Sequence, residues 1–286
     1  MTASLAAARS FVYANARVLD RRRFDVHFGS GSRAAVVAAV RAYRNADGGL
    51  GHALEPDKRA PESQPLDVSV GLELLHEVGA VDEELALGAC EFLATVADER
   101  GLVPYVLPSV LAHPRASHWD GGSFPTGLGP ALSIAAVLHT WGVHHPWLDR
   151  ATRACLGGLE REPPDDAHAL REAFVFADAV TEAEPIVPRL REALPSARYF
   201  RRDADSPEYG LTPLDFAPSP QSRWRSLFSD AEIDAHLDRL ERDQQADGGW
   251  PLSWEPPGEA ATLEWRGDWT VRAVRVLAAY GRLTTG

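Results

Sequence analysis

The segment Ala46-Asp47-Gly48-Gly49 returns as Ala246-Asp247-Gly248-Gly249, and the match runs on without a gap. Gly49-Leu50-Gly51-His52-Ala53-Leu54-Glu55-Pro56 lies over Gly249-Trp250-Pro251-Leu252-Ser253-Trp254-Glu255-Pro256. A turn repeated in this detail makes the chain a repeat protein, in which each unit buries its apolar face on its neighbours. A third copy, Gly101-Leu102-Val103-Pro104-Tyr105-Val106-Leu107-Pro108, keeps the frame but has Leu107 in place of Glu. A fourth, Gly210-Leu211-Thr212-Pro213-Leu214-Asp215-Phe216, brings its acid, Asp215, one position early. The interval from Gly101 to Gly210 is about twice that from Gly49 to Gly101, so a degenerate unit is expected between them, with its turn at Gly157-Gly158.

The sequence around these turns alternates between two kinds of helix. Ile233, Leu237 and Leu240 recur at i, i+4, i+7 among charged residues, as do Leu85, Ala89, Phe92 and Val96, which marks amphipathic outer helices. Leu132 to Leu138 and Val271 to Ala278 are apolar on nearly every side, which marks inner helices buried all round. Gly79, Gly142 and Gly281 close the inner helices, where a left-handed cap is needed. In the turns themselves glycine accepts positive φ and aspartate bonds nearby amides, so Asp47 and Asp247 read as turn residues. Strand-like alternation is absent. The start and stop signals give roughly ten to twelve helices. The expected fold is therefore all-α, an α/α toroid of about five to six inner/outer helix pairs forming a single domain over residues 1–286.

At Gln244-Gln245-Ala246-Asp247-Gly248-Gly249-Trp250 the sequence resembles the Gln-x-x-Asp-Gly-Gly-Trp repeat of squalene and hopene cyclases, which protein prenyltransferase β subunits share in weaker form. Gln244, Asp247, Gly248, Gly249 and Trp250 match, and the copy at Asn45 to Leu50 keeps Asp47, Gly48 and Gly49. The resemblance implies an α/α toroid with a central cavity, in which this motif packs helices together. Isoprenoid-like ligands follow by the same analogy. The chemical motifs of those enzymes are incomplete here. Asp203-Ala204-Asp205-Ser206 ends in Ser where the cyclase motif has a third Asp, and no Asp-x-Cys zinc pair occurs. Asp165-Asp166-Ala167-His168-Ala169-Leu170 lacks the last acid of a diphosphate-binding Asp-Asp-x-x-Asp and reads as a helix N-terminus.

A formal charge of -12, from 41 acidic and 29 basic residues, argues against nucleic acid or an anionic membrane as the main partner. The basic run Arg21 to Arg23 reads as the solvated last turn of a helix. Cys90 and Cys155 have no Cys or His at ligand spacing and are expected as buried free thiols. No apolar run reaches the roughly 18 residues of a membrane span, and Met1 to Ala14 lacks the basic start of a signal peptide, so a cytoplasmic location is expected. No His-x-x-x-His pattern points to a metal, and no cofactor is expected. His139 and the His144-His145-Pro146 turn read as structural.

Candidate chemistry gathers in the loops that lead into inner helices: His52, Glu55, Asp57, Lys58, Arg59 and Gln64 in the first, Tyr105, His113, Arg115, His118 and Trp119 in the second, and Trp254, Glu255, Glu264, Trp265, Arg266 and Asp268 in the last. Glu55, Asp57, Asp215 and Glu255 are the catalytic candidates, since a carboxyl near aromatic rings can act as a general acid beside a second carboxylate. The alternative is that each glutamate bonds backbone amides of its own loop. His52, His118, Trp119, Trp254, Glu264 and Trp265 are the substrate-binding candidates, while Trp250 and Trp269 read as packing residues. Three functions stay open: a toroid that binds, and by acid catalysis transforms, a mostly apolar small molecule; a carbohydrate lyase or hydrolase; and a non-catalytic binding or scaffold protein. The sequence sets no oligomeric state.

Overall fold

The computed structural model describes residues 3–284, and these are all-α apart from one pair of two-residue strands. In chain order the elements are β1 (Ala3–Ser4), α1 (Leu5–Asn15), α2 (Val18–Phe28), α3 (Arg33–Arg41), α4 (Pro65–Glu77), α5 (Glu83–Val96), α6 (Gly129–Thr140), α7 (Pro146–Arg161), α8 (Ala167–Ala179), α9 (Val187–Ala193), α10 (Pro213–Phe216), α11 (Asp230–Arg242), α12 (Glu259–Ala279) and β2 (Leu283–Thr284). Short 3-10 turns fill several connections. No helix among the described residues is long and apolar enough to cross a membrane. The chain divides into two compact units, one of Met1–Ser32 with Pro195–Gly286 and one of Arg33–Leu194.

In the Arg33–Leu194 unit, α4, α6 and α8 lie side by side as an inner row with α6 in the middle. The central helix is buried from Gly129 to Leu138, which is why its sequence shows no polar face. Outside this row α3 packs on α4, and α7 packs on both α5 and α6. Capping side chains fix where these helices begin: Asp82 accepts from the Leu85 amide at 3.2 Å, His145 from Trp147 at 3.1 Å and Asp166 from His168 at 2.9 Å. Gly79 and Gly142 end α4 and α6 in the left-handed conformation, with φ of 67° and 68°.

In the other unit α12 packs against α1, α2 and α11, and β1 pairs in parallel with β2. Ser229 and Glu232 form a capping box at the start of α11, and Gly281, at φ 68°, ends α12. The run Arg21 to Arg23 is not a solvated last turn. It lies within α2, where Arg23 is fully buried and bonds Asp20 of its own helix and Asp268 of α12. Removing such a partner from a buried network leaves an uncompensated charge, so Arg23 fastens α2 to α12.

The repeated turn works by close approach. Asp47 and Asp247 accept from the amides of Gly49 and Gly249 at 2.9 and 3.0 Å, while Gly48 and Gly248 take φ of 88° and 91°. A Cβ on Gly48 would stand 2.5 Å from the Gly88 carbonyl of α5, and one on Gly248 would stand 2.2 Å from the Ala7 carbonyl of α1. Gly101 approaches the Ala151 amide of α7 in the same way. The loops at Gly48, Gly101 and Gly248 thus each follow one helix and press their backbone on another, whereas Gly210 faces the Tyr199 carbonyl of its own connection. Trp250 is buried and donates its Nε1 hydrogen to the Leu240 carbonyl at 2.7 Å, and Gln244 bonds both the amide and the carbonyl of Ser4.

The turn expected at Gly157-Gly158 is not there. Gly157 and Gly158 are both inside α7, and the connection to α8 is the short segment 162–166. Gly158 is there for packing, since a Cβ would come 2.6 Å from the Leu128 side chain. Cys90 and Cys155 are buried free thiols whose pKa values burial pushes up to about 12. His139 is satisfied by Thr152 at 2.8 Å, and Asp203 accepts from the Asp205 amide at 2.9 Å in an exposed turn.

Candidate functional site

The first two marked loops are zipped together. Lys58 and Arg115 form an antiparallel bridge, with Arg59 donating to the Pro114 carbonyl at 2.9 Å and Ala116 to the Asp57 carbonyl at 2.7 Å. This brings His118 Nε2 to 3.9 Å from Asp57 Oδ2. Beneath it lies a buried triad. Lys58 Nζ donates to Glu55 Oε2 and to Asp67 Oδ1, each at 3.0 Å, and Asp67 Oδ1 also accepts from the Glu55 amide at 2.7 Å. The glutamate therefore takes a lysine rather than the amides of its loop. The amide goes to Asp67, in the first turn of α4, a residue that helix periodicity alone assigns to scaffold. Burial raises the Asp67 pKa to about 6 against the pull of Lys58. Burial alone would lower the Lys58 pKa, but Asp67 and Glu55 outweigh it and hold the amine charged. Burial lowers that of His118, which is neutral at pH 7. His52 is exposed, in a left-handed conformation at φ 57°, with Nε2 at 2.8 Å from Asn45 Oδ1.

A second cluster adjoins the first. Leu66, Tyr105, Trp119 and Phe124 pack on buried Ala60, Val106 and Val110. The Tyr105 hydroxyl donates to Glu172 Oε2 of α8 at 3.0 Å. Its ring lies on the first residue of α6, where a Cβ on Gly129 would stand 2.3 Å from Cζ, so only glycine leaves room for it. Burial, and next the charge of Glu73 on α4, push the Glu172 pKa up to about 8; the Tyr105 bond and Arg171 offset part of this. Arg171 reaches Glu73 at 3.4 Å, and Ser69 donates to Glu73 at 3.1 Å. Trp119 Nε1 is buried and has no hydrogen-bond partner among the described residues. At neutral pH Glu172 is a carboxylic acid whose Oε2 is taken by Tyr105, which leaves its proton on the other oxygen. Glu73 was legible only as an acid interrupting the apolar run Leu72 to Leu75, and Glu172 only as half of the charged pair Arg171-Glu172 between Leu170 and Phe174.

The remaining predicted residues fall in the other unit. Trp254 stacks edge-on to Trp265 at 5.2 Å, to Tyr209 at 5.9 Å and to Trp269 at 6.4 Å. A cleft of about 440 Å³ is lined by Trp254, exposed Glu255, Asp247, Gln245, Thr262 and Arg266, with Arg266 ion-paired to Asp247 at 2.9 Å. Glu264 is half-buried on α12. Asp215 closes a capping box on α10, accepting from the amide and hydroxyl of Thr212 at 2.7 and 2.9 Å. Glu55, Asp57, His118 and Trp119 are thus gathered in one unit, and Trp254, Glu255 and Trp265 in the other.

Set against known protein families and curated proteins, the chain matches none of either.

Proposed function

We propose that the protein is a terpenoid-cyclase-like α/α-toroid protein that takes up a mostly apolar, isoprenoid-like small molecule and acts on it as an acid, with Glu172 as the proton donor. The observation that carries this reading is the Glu172 carboxyl, neutral at pH 7 and bonded by Tyr105, whose ring belongs to the apolar cluster that also holds Leu66, Trp119 and Phe124. An acid with a pKa of about 8 is too weak to protonate a bare alkene. It suits an oxygen, such as that of an epoxide or an alcohol leaving group. The repeated Asp-Gly-Gly turn, with its packing of helix on helix, supports the fold side of the likeness. The test is incubation with isoprenoid alcohols and epoxides, with products read by mass spectrometry. Wild type is expected to turn over, with activity falling as pH rises through about 8. Glu172→Gln is expected to lose about 100-fold or more. Because the Tyr105 bond lowers the acid's pKa, Tyr105→Phe is expected to move the alkaline limb higher. A fully active Glu172→Gln enzyme, or no uptake of such molecules, removes the reading.

A second reading rests on the cleft at Trp254 and Glu255, whose aromatic wall and free acid suit a saccharide. Oligosaccharide titration followed by tryptophan fluorescence distinguishes the two. Saturation abolished by Trp254→Ala supports the saccharide, and binding of either ligand without turnover leaves a binding protein.

A further inference from the structure

Away from both clusters, a cleft of about 340 Å³ is lined by Glu99 and Arg100, which follow α5, and by Arg150, Arg153, Gly157 and Arg161 of α7. The four α7 residues recur at i, i+3, i+7 and i+11 and so share one helical face. Arg100 is already paired with Asp98 at 2.8 Å. The guanidinium groups of Arg150, Arg153 and Arg161 have no acid or hydrogen-bond partner among the described residues. In a chain of formal charge -12, with acids to spare, three neighbouring arginines without partners are a positive field that the fold leaves unspent. Gly157 supplies the floor. It stands in mid-helix without a side chain, and the nearest atom to a Cβ built there is Arg161 Nη1 at 3.7 Å.

We propose that this cleft binds a small molecule carrying two or more phosphate groups. Guanidinium groups bond phosphate oxygens in parallel pairs, and an anion there would neutralise charges the protein does not. Arg150 and Arg161 are about 16 Å apart along the helix axis, too far to converge on a single phosphate and suited to a chain of them. The volume lies at the lower end of small-molecule sites. A nucleic acid, which needs an extended basic track, is opposed by the acidic remainder of the surface. No aromatic side chain lines the cleft, so recognition is of the phosphates and not of an attached base.

The experiment is calorimetric titration of the full chain with tripolyphosphate at low salt, alongside sulfate and an oligoglutamate peptide. The expected result is saturation at one tripolyphosphate per chain, with sulfate much weaker and added salt weakening both. The double variant Arg150→Ala/Arg153→Ala is expected to bind about tenfold or more weakly. Gly157→Leu keeps every charge but fills the floor, and it too is expected to lose binding while unfolding at an unchanged or higher temperature. Absence of saturation, variants that bind as wild type does, or binding of the peptide in place of tripolyphosphate each overturns the proposal.

Discussion

Lys58 is the one lysine among 29 lysine and arginine residues, and it is also one of the largest fully buried side chains in the fold. A compact ammonium can sit between Glu55 Oε2 and Asp67 Oδ1 at 3.0 Å from each, where a planar guanidinium needs more room and more acceptors. Lys58→Met leaves two acids buried without their cation, and the expected cost is about 3–5 kcal/mol, read as a lower urea midpoint at an unchanged slope. The same residue gives a clean probe of opening. Held charged and buried, the only side-chain amine of the chain is expected to resist an amine-directed reagent in native buffer and to react once urea unfolds the protein. Labelling at the native rate of a free lysine would contradict the buried triad.

Among the elements, two glycines that each open a Gly-Gly pair, Gly248 and Gly157, have opposite roles. Gly248 takes φ 91° and faces the Ala7 carbonyl of α1, so Gly248→Ala combines left-handed strain with displacement of a helix, an expected loss of about 3 kcal/mol. Gly157 lies inside α7, where a Cβ would meet only Arg161 Nη1 at an ordinary contact distance of 3.7 Å, so Gly157→Ala is expected to gain about 0.5–1 kcal/mol by helix propensity. Urea unfolding of the two variants checks both signs. The contrast also marks what the sequence could tell. Caps, left-handed helix ends and the inner or outer character of a helix are local, so Gly79, Gly142, Gly281 and the apolar run of α6 were legible. Gly157-Gly158 imitates a turn because nothing local separates a punctuating glycine from one that makes room for Leu128. Arg23 and Glu172 were missed for a related reason: each looks solvated on its own helix and acquires its role only from Asp268 or from Tyr105, residues remote in the chain.

For the whole molecule, the response to pH is a contest between groups shifted in opposite senses. Burial lowers the pKa of His118, His139 and His236, so the unfolded chain binds their protons more readily and stability is lost as pH falls through the ordinary histidine range. On the acid side Glu232, held near 2 by Arg202, and Asp82, held low by Arg41, add losses below the usual carboxylate range. Glu172 and Asp67 work the other way. Their folded pKa values, about 8 and about 6, lie above the ordinary ones, so the folded state holds protons that the unfolded state has released, and stability falls as pH rises from about 4 towards 8. The wild-type curve is therefore expected to be flat near neutrality, where the two trends cancel. Glu172→Gln removes one of them. At pH 4 the variant and wild type are expected to unfold alike, because the carboxyl is protonated in both states. At pH 9 the variant is expected to be more stable by about 2–4 kcal/mol, the half-buried anion having been replaced by a neutral amide. Urea midpoints at the two pH values measure the difference directly. Equal midpoints at pH 9 would mean that Glu172 ionises as an ordinary carboxylate, and the acid assigned to the site would then be spent as an anion at neutral pH.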